Sequence, residues 1–129
     1  MTKLSERIEA CTGDTTELAA EMLTFVTGDE HVVRSWEPSR DFPGGKVSVW
    51  RNEGKGNRLA RNPLTDERAI AALERKYLPE QCVTAHQARD GKHWAQVWVS
   101  PDFKPESESH SESLARSAAL VRALEVSRD

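Results

Sequence analysis

The chain has 129 residues, of which 37% are hydrophobic and 30% charged, and carries a net charge of −3. That length suits one domain and hides roughly two thirds of the unfolded surface, so folding requires neither a metal nor a disulfide. No apolar run approaches the ~18 residues of a membrane span, which excludes insertion, and the mild overall charge names no partner.

The charge is unevenly placed. Residues 1–30 hold seven acids against two bases, and residues 46–61 hold five bases against one acid. Such asymmetry either pairs internally or marks a partner surface. Residues 1–10 are too polar for the apolar core of a signal peptide. The expected setting is the cytoplasm, with Cys11 and Cys82 both reduced.

Taken in order, Leu4 and Ile8 lie one turn apart and predict a short helix over residues 4–10, with Gly13 placed for a left-handed cap. Leu18, Met22, Phe25 and Val26 share one face of a second helix over residues 17–26. Asp14, three residues before Glu17, offers a start signal, and Gly28 closes the helix. Residues 31–36 read as a strand, with Val32, Val33 and Trp36 as candidates for burial. Pro38 interrupts it, and residues 42–45 read as a turn. In residues 46–51, Val47 and Val49 alternate with Ser48 and Trp50, again a strand. Residues 52–63, rich in Gly, Asn and bases, read as an exposed, mobile loop.

Thr65 is a candidate cap for a third helix, whose apolar stripe is Ala69, Ile70, Leu73 and Tyr77 and which Pro79 stops. Asp90-Gly91 between residues 82–88 and 92–100 is a strong hairpin signal. A two-residue turn pairs Arg89 with Lys92, Gln87 with Trp94 and Val83 with Trp98. Residues 103–113 are rich in Ser, Glu and Pro and read as a flexible connector. Ser111 or Ser113 starts a last helix carrying Leu114, Ala118, Val121 and Leu124, with alanines small enough to lie close against a sheet.

Residues 93–99 set Trp94, Gln96 and Trp98 on one side and Ala95, Val97 and Val99 on the other. Both sides are partly apolar, so the strand reads as covered on both faces. With helical patterns before and after it, the expected fold is α+β: a three-layer α/β/α sandwich around a small, mostly antiparallel sheet, as a single domain over residues 1–129.

Several short stretches carry a family resemblance. Leu4-Ser5-Glu6-Arg7-Ile8-Glu9-Ala10-Cys11-Thr12-Gly13 followed by Glu17-Leu18-Ala19-Ala20-Glu21-Met22 resembles the opening of small phage and prophage proteins of the phage ABA sandwich domain family. The later order is similar too: a helix ending in Pro79, an aromatic hairpin and an Ala/Leu-rich last helix. Residues 31–62 depart from it, being more basic and richer in Trp. The resemblance implies an α/β/α sandwich and a phage-derived gene; it implies no reaction and no functional residues.

Chemical motifs are sparse. Cys82, His86 and His93 lack a fourth neighbour at zinc spacing. No nucleophile motif is present, and Gly44-Gly45 and Gly54-x-Gly56 do not sit in a strand–loop–helix phosphate site. The expectation is therefore no catalytic residue, no metal and no cofactor. Trp50, Arg51, Lys55, Arg58 and Arg61 combine an aromatic face with cations and form the candidate surface. The expected role is binding of another macromolecule, a host or phage protein, with nucleic acid as the alternative partner through the same basic loop and a small enzyme as a further one.

Overall fold

The computed structural model describes residues 3–41, 43–52, 56–80 and 82–128, without the side chains of Trp36, Ser48 and residues 50–52 and 56–58. Helices α1 (Leu4–Glu9) and α2 (Thr16–Thr27) are joined through Gly13. Asp14 Oδ1 accepts from the Thr16 amide at 2.9 Å and the Thr16 hydroxyl at 2.7 Å, which orders the start of α2. These two bonds, the hydroxyl's above all, hold the Asp14 carboxyl below its ordinary pKa. Gly28 ends α2 at φ +81°, a conformation open to glycine at no steric cost.

Strands β1 (His31–Trp36), β2 (Gly45–Asn52) and β3 (Gly56–Leu59) form an antiparallel sheet in that order. Helix α3 (Glu67–Tyr77) follows. Its cap is Asp66 rather than Thr65: the Asp66 carboxylate accepts from the amides of Arg68 and Ala69. Strands β4 (Val83–Arg89), β5 (Lys92–Trp98) and β6 (Glu106–Ser109) form a second antiparallel sheet, and α4 (Glu112–Ser127) ends the chain. The β4–β5 register is the expected one, with Arg89 opposite Lys92 and Val83 opposite Trp98. Asp90 and Gly91 both take positive φ, at 48° and 78°, as a tight primed turn requires.

The α+β class holds; among the described residues there are two small antiparallel sheets where one was expected, with helices between them. Helix α4 is packed on two sides. Leu114, Ala118, Val121 and Leu124 meet Ile8 of α1, Met22 and Val26 of α2 and Ile70 of α3. Ala115, Ala119 and Ala123, one turn apart, meet Ala95 and Val97 of β5. The first sheet lies against α2, with Val49 buried.

Each sheet thus has one face on helix. The tryptophan side of β5, expected to be dry, is the outer one: Trp98 is 46% exposed and Trp94 partly exposed. An antiparallel sheet tolerates one wet face.

Two expected loops hold strands among the described residues, residues 53–55 lying outside them. Within residues 52–63, β3 pairs with β2, and the Asn62 side chain bonds to the Leu64 amide at 2.9 Å and to Thr15 Oγ1 at 2.8 Å. Within residues 103–113, β6 pairs with β5, burying Ser107 and Ser109. Its order comes from partners and not from its own hydrophobicity: Arg122 Nη1 donates to Ser107 Oγ at 2.7 Å, and the Glu108 amide donates to Glu9 Oε2 at 3.0 Å.

The close approach of α4 to β5 rests on alanine volume. Ala119→Leu overpacks this seam and lowers stability by about 1–3 kcal/mol, read as a reduced urea midpoint, whereas Ala72→Leu, on the exposed side of α3, changes it by less than ~0.5 kcal/mol.

Candidate interaction surface

The outer face of the second sheet is built by alternation. Trp94, Gln96 and Trp98 of β5 lie beside Gln87, Ala85 and Val83 of β4, and Trp94 and Gln96 lie beside Glu108 and Glu106 of β6. Val83, 61% exposed, stands directly across from Trp98. Among the described residues no helix packs over this face, so two indole rings lie on a solvent-facing sheet.

Both rings are fixed. The Arg89 guanidinium sits 4.6 Å from the Trp94 ring centre and the Lys104 ammonium 4.0 Å from that of Trp98. Trp94 Nε1 donates to Glu106 Oε2 at 3.2 Å, and Trp98 Nε1 donates to Gln96 Oε1 at 2.6 Å. Lys92 pairs with Glu108 at 3.7 Å. The face therefore mixes three cations with two carboxylates around an aromatic centre. Cation–π stacking of this kind contributes ~0.5–1 kcal/mol at exposed sites.

Of the sequence-expected set, Trp50, Arg51 and Arg58 lie elsewhere, on the first sheet. Trp50 and Arg51 fall in β2 and Arg58 in β3, where Trp50 pairs with Arg58 and Arg51 with Asn57 on the ladder. Lys55 lies outside the described residues, as do the side chains of Trp50, Arg51 and Arg58. Arg61 is exposed and shares a hollow with Lys46. Among the described side chains of residues 1–30, Glu21 pairs with Arg7 and Glu9 with Arg122, while Asp14 feels Lys46 of the basic segment. The tryptophans of β5 escape sequence reasoning because they read as core; the signal available was Gln96 between them and the bases at 89 and 104.

Two hollows compete as sites. One of about 490 Å³ is lined by Lys3, Arg122, Arg128, Phe25 and Phe103. Its arginines are engaged: Arg122 holds Glu9, and Arg128 donates to the carbonyls of Phe25 and Val26. Another, of about 440 Å³, lies between α3 and β4 and is lined by Glu74, Arg75, Cys82, Thr84 and Arg116.

There Arg116 Nη2 donates to Glu74 Oε1 at 2.5 Å and Nη1 to Glu112 Oε2 at 3.0 Å, while His86 Nδ1 lies 3.2 Å from Glu112 Oε1. Burial lowers the Arg116 pKa, but hydrogen bonds and charges from Glu74 and Glu112 outweigh it and hold the group above its ordinary value. These contacts join α3, α4 and β4.

Among the described residues, no group of three His, Cys, Asp or Glu side chains is arranged to hold a metal ion. Within them no helix is long and apolar enough to cross a membrane. Both cysteines are free and half-buried. Compared with family models, curated proteins and solved structures, the chain matches none.

The Arg116–Glu74 pair is nearly dry, its side chains 11% and 8% exposed. Arg116→Met leaves Glu74 unpaired and costs about 3 kcal/mol in urea unfolding, and adding Glu74→Leu restores most of that loss.

Proposed function

We propose that this chain is a phage- or prophage-type accessory protein of the cytoplasm that acts by binding another protein, through the outer face of β4, β5 and β6. One observation carries the reading: two tryptophans and Val83 lie on an uncovered sheet face, with the rings held in place by stacked cations. Tryptophan and arginine are enriched where truncation weakens protein complexes most. Rings already held rigid lose little freedom on binding. The interleaved Glu106 and Glu108 fit a partner of mixed charge better than a polyanion. The phage assignment is supported by the likeness of residues 4–13 and 17–22 to the phage ABA sandwich domain family. The cytoplasmic assignment is supported by the free thiols of Cys11 and Cys82.

The second reading is nucleic acid on the first sheet. It is favoured by the ladder that sets Trp50 across from Arg58, with Lys55 and Arg61 near in sequence. Stacking plus phosphate contacts would then give strongly salt-dependent binding.

Capture from a nuclease-treated bacterial lysate on the immobilised chain separates the two. A retained protein is expected to bind the Trp94→Ala/Trp98→Ala variant roughly 30-fold or more weakly, the ~2 kcal/mol of a hot spot, with helix content and melting temperature kept. Undiminished retention by that variant overturns the reading. Retention that vanishes with nuclease and weakens in Arg58→Ala/Arg61→Ala transfers it to nucleic acid.

A further inference from the structure

We propose that β4 is the pairing edge of a symmetric dimer: two copies of this chain join β4 to β4, antiparallel about His86, into one six-stranded sheet.

The argument starts from which backbone groups face the edge. The Val97 amide donates to the Pro105 carbonyl at 3.0 Å, on the β6 side of β5. Backbone groups alternate along a strand, so His93, Ala95 and Val97 bond toward β6, and Lys92, Trp94, Gln96 and Trp98 toward β4. Their partners Arg89, Gln87, Ala85 and Val83 bond back. Thr84, His86 and Ala88 are left with N–H and C=O pointing outward. Among the described residues, no loop or side chain bonds to these groups.

The fold closes other strand edges. On β6 the outward Glu108 amide donates to Glu9 Oε2, and the Ser109 hydroxyl donates to the Glu9 carbonyl at 2.9 Å, so α1 covers that side. At the start of β1 the His31 amide donates to Thr24 Oγ1 at 2.9 Å. Strand β4 has no such cover, and all but Ala85 of its residues are exposed. It also lacks the usual blocking devices. It contains no proline and no lysine, and its register with β5 runs unbroken from Val83 to Arg89, so it has no bulge. Edges of this kind pair with another strand.

The occupant is argued from self-complementarity. A two-fold axis at His86 pairs all seven residues of β4. It sets Val83 across from Arg89, Thr84 from Ala88, Ala85 from Gln87, and His86 from itself. The three outward N–H groups of each copy then meet outward carbonyls of the other. Arg89 is the only Arg, Lys, Asp or Glu in β4. The axis puts the two copies of it at opposite ends, about 20 Å apart at ~3.4 Å per residue, beyond the ~8 Å Debye length at physiological salt. Thr84 borders the 440 Å³ hollow beside α3, so the incoming Ala88 enters open space. The paired sheet carries two copies of the Trp94–Trp98 face on one surface, but the pairing rests on the edge alone and does not depend on what that face binds.

Sedimentation velocity on the full chain from 5 to 200 µM tests this. The expected result is a concentration-dependent species at twice the 14.5 kDa chain mass, with exchange at the Thr84, His86 and Ala88 amides slowing as it forms. Ala88→Pro removes an outward donor and no β4–β5 bond, and it should stay monomeric with an unchanged circular dichroism spectrum. His86→Lys keeps a partner for Glu112 and sets two cations on the axis; it should weaken association at least tenfold, and it decides the matter should the proline variant misfold. Trp98→Ala should dimerise as the wild type does, which separates this proposal from the protein-binding one. A wild-type chain that stays monomeric at 200 µM overturns the dimer, as does association undiminished in both edge variants.

Discussion

Helix α4 has almost no solvent face, and the rest of the structure is arranged around that constraint. From Ser113 to Leu124 none of its residues is exposed. A helix buried on all sides must present apolar surface all round, yet its two sides meet different neighbours. Toward the other helices it offers Leu114, Leu120, Val121 and Leu124, which fill the space between cylinders. Toward β5 it offers Ala115, Ala119 and Ala123, which let backbone approach backbone. The difference in side-chain size between the two stripes sets how near each neighbour lies. It also fixes which face of the second sheet is inner: the Ala95 and Val97 side fits an alanine stripe, and indole rings do not.

Two largely buried arginines sit at the borders of this central helix. Arg116 gathers Glu74 from α3 and Glu112 from its own helix. Arg122 gathers Glu9 from α1 and, from β6, the Glu106 carbonyl and the Ser107 hydroxyl. The planar guanidinium suits such multiple donation. Apolar stripes allow α1 and α3 to slide along α4, and the arginines select one placement. Pairs of this type add less to stability than their geometry suggests, because both charges must be dried; their clearer effect is on register. Glu9 shows it: one side chain takes both Arg122 and the outward amide of Glu108, locking α1, α4 and β6 together.

Local signals are legible at several turns and caps, though at α3 the cap is Asp66 and not the neighbouring Thr65. The Asp90-Gly91 turn sets the whole β4–β5 register, Gly28 stops α2 and Ser111 caps α4 by accepting from the Leu114 amide. Which face of β5 meets helix is not legible, because β5 alternates between two apolar sets and periodicity does not choose between them. Lys104 over Trp98 and Glu106 on Trp94 are tertiary partners from beyond the strand, and they make a wet tryptophan tolerable. The sequence Glu106-Ser107-Glu108-Ser109 carries nothing apolar, so its order depends on residues about 15 and 100 positions away. For the same reason the basic candidates Trp50, Arg51, Lys55, Arg58 and Arg61 stood out by composition, while the aromatic face was counted as core.

An uncovered aromatic face normally invites indiscriminate association, and exposed apolar patches on a monomer call for an explanation. Here the rings are partly screened without being hidden. Arg89 and Lys104 lie over them, and Glu106 and Gln96 take their N–H groups, so each indole keeps its polar edge satisfied in the free protein. A merely greasy partner would displace the cations and leave nothing for those hydrogen-bonding groups. A partner that supplies its own carboxylate for Lys104 or Arg89 while packing on the ring keeps both contributions. On the docking surface proposed above, the same side chains that hold the tryptophans rigid would also act against the wrong occupant, a route to selectivity without a deep pocket.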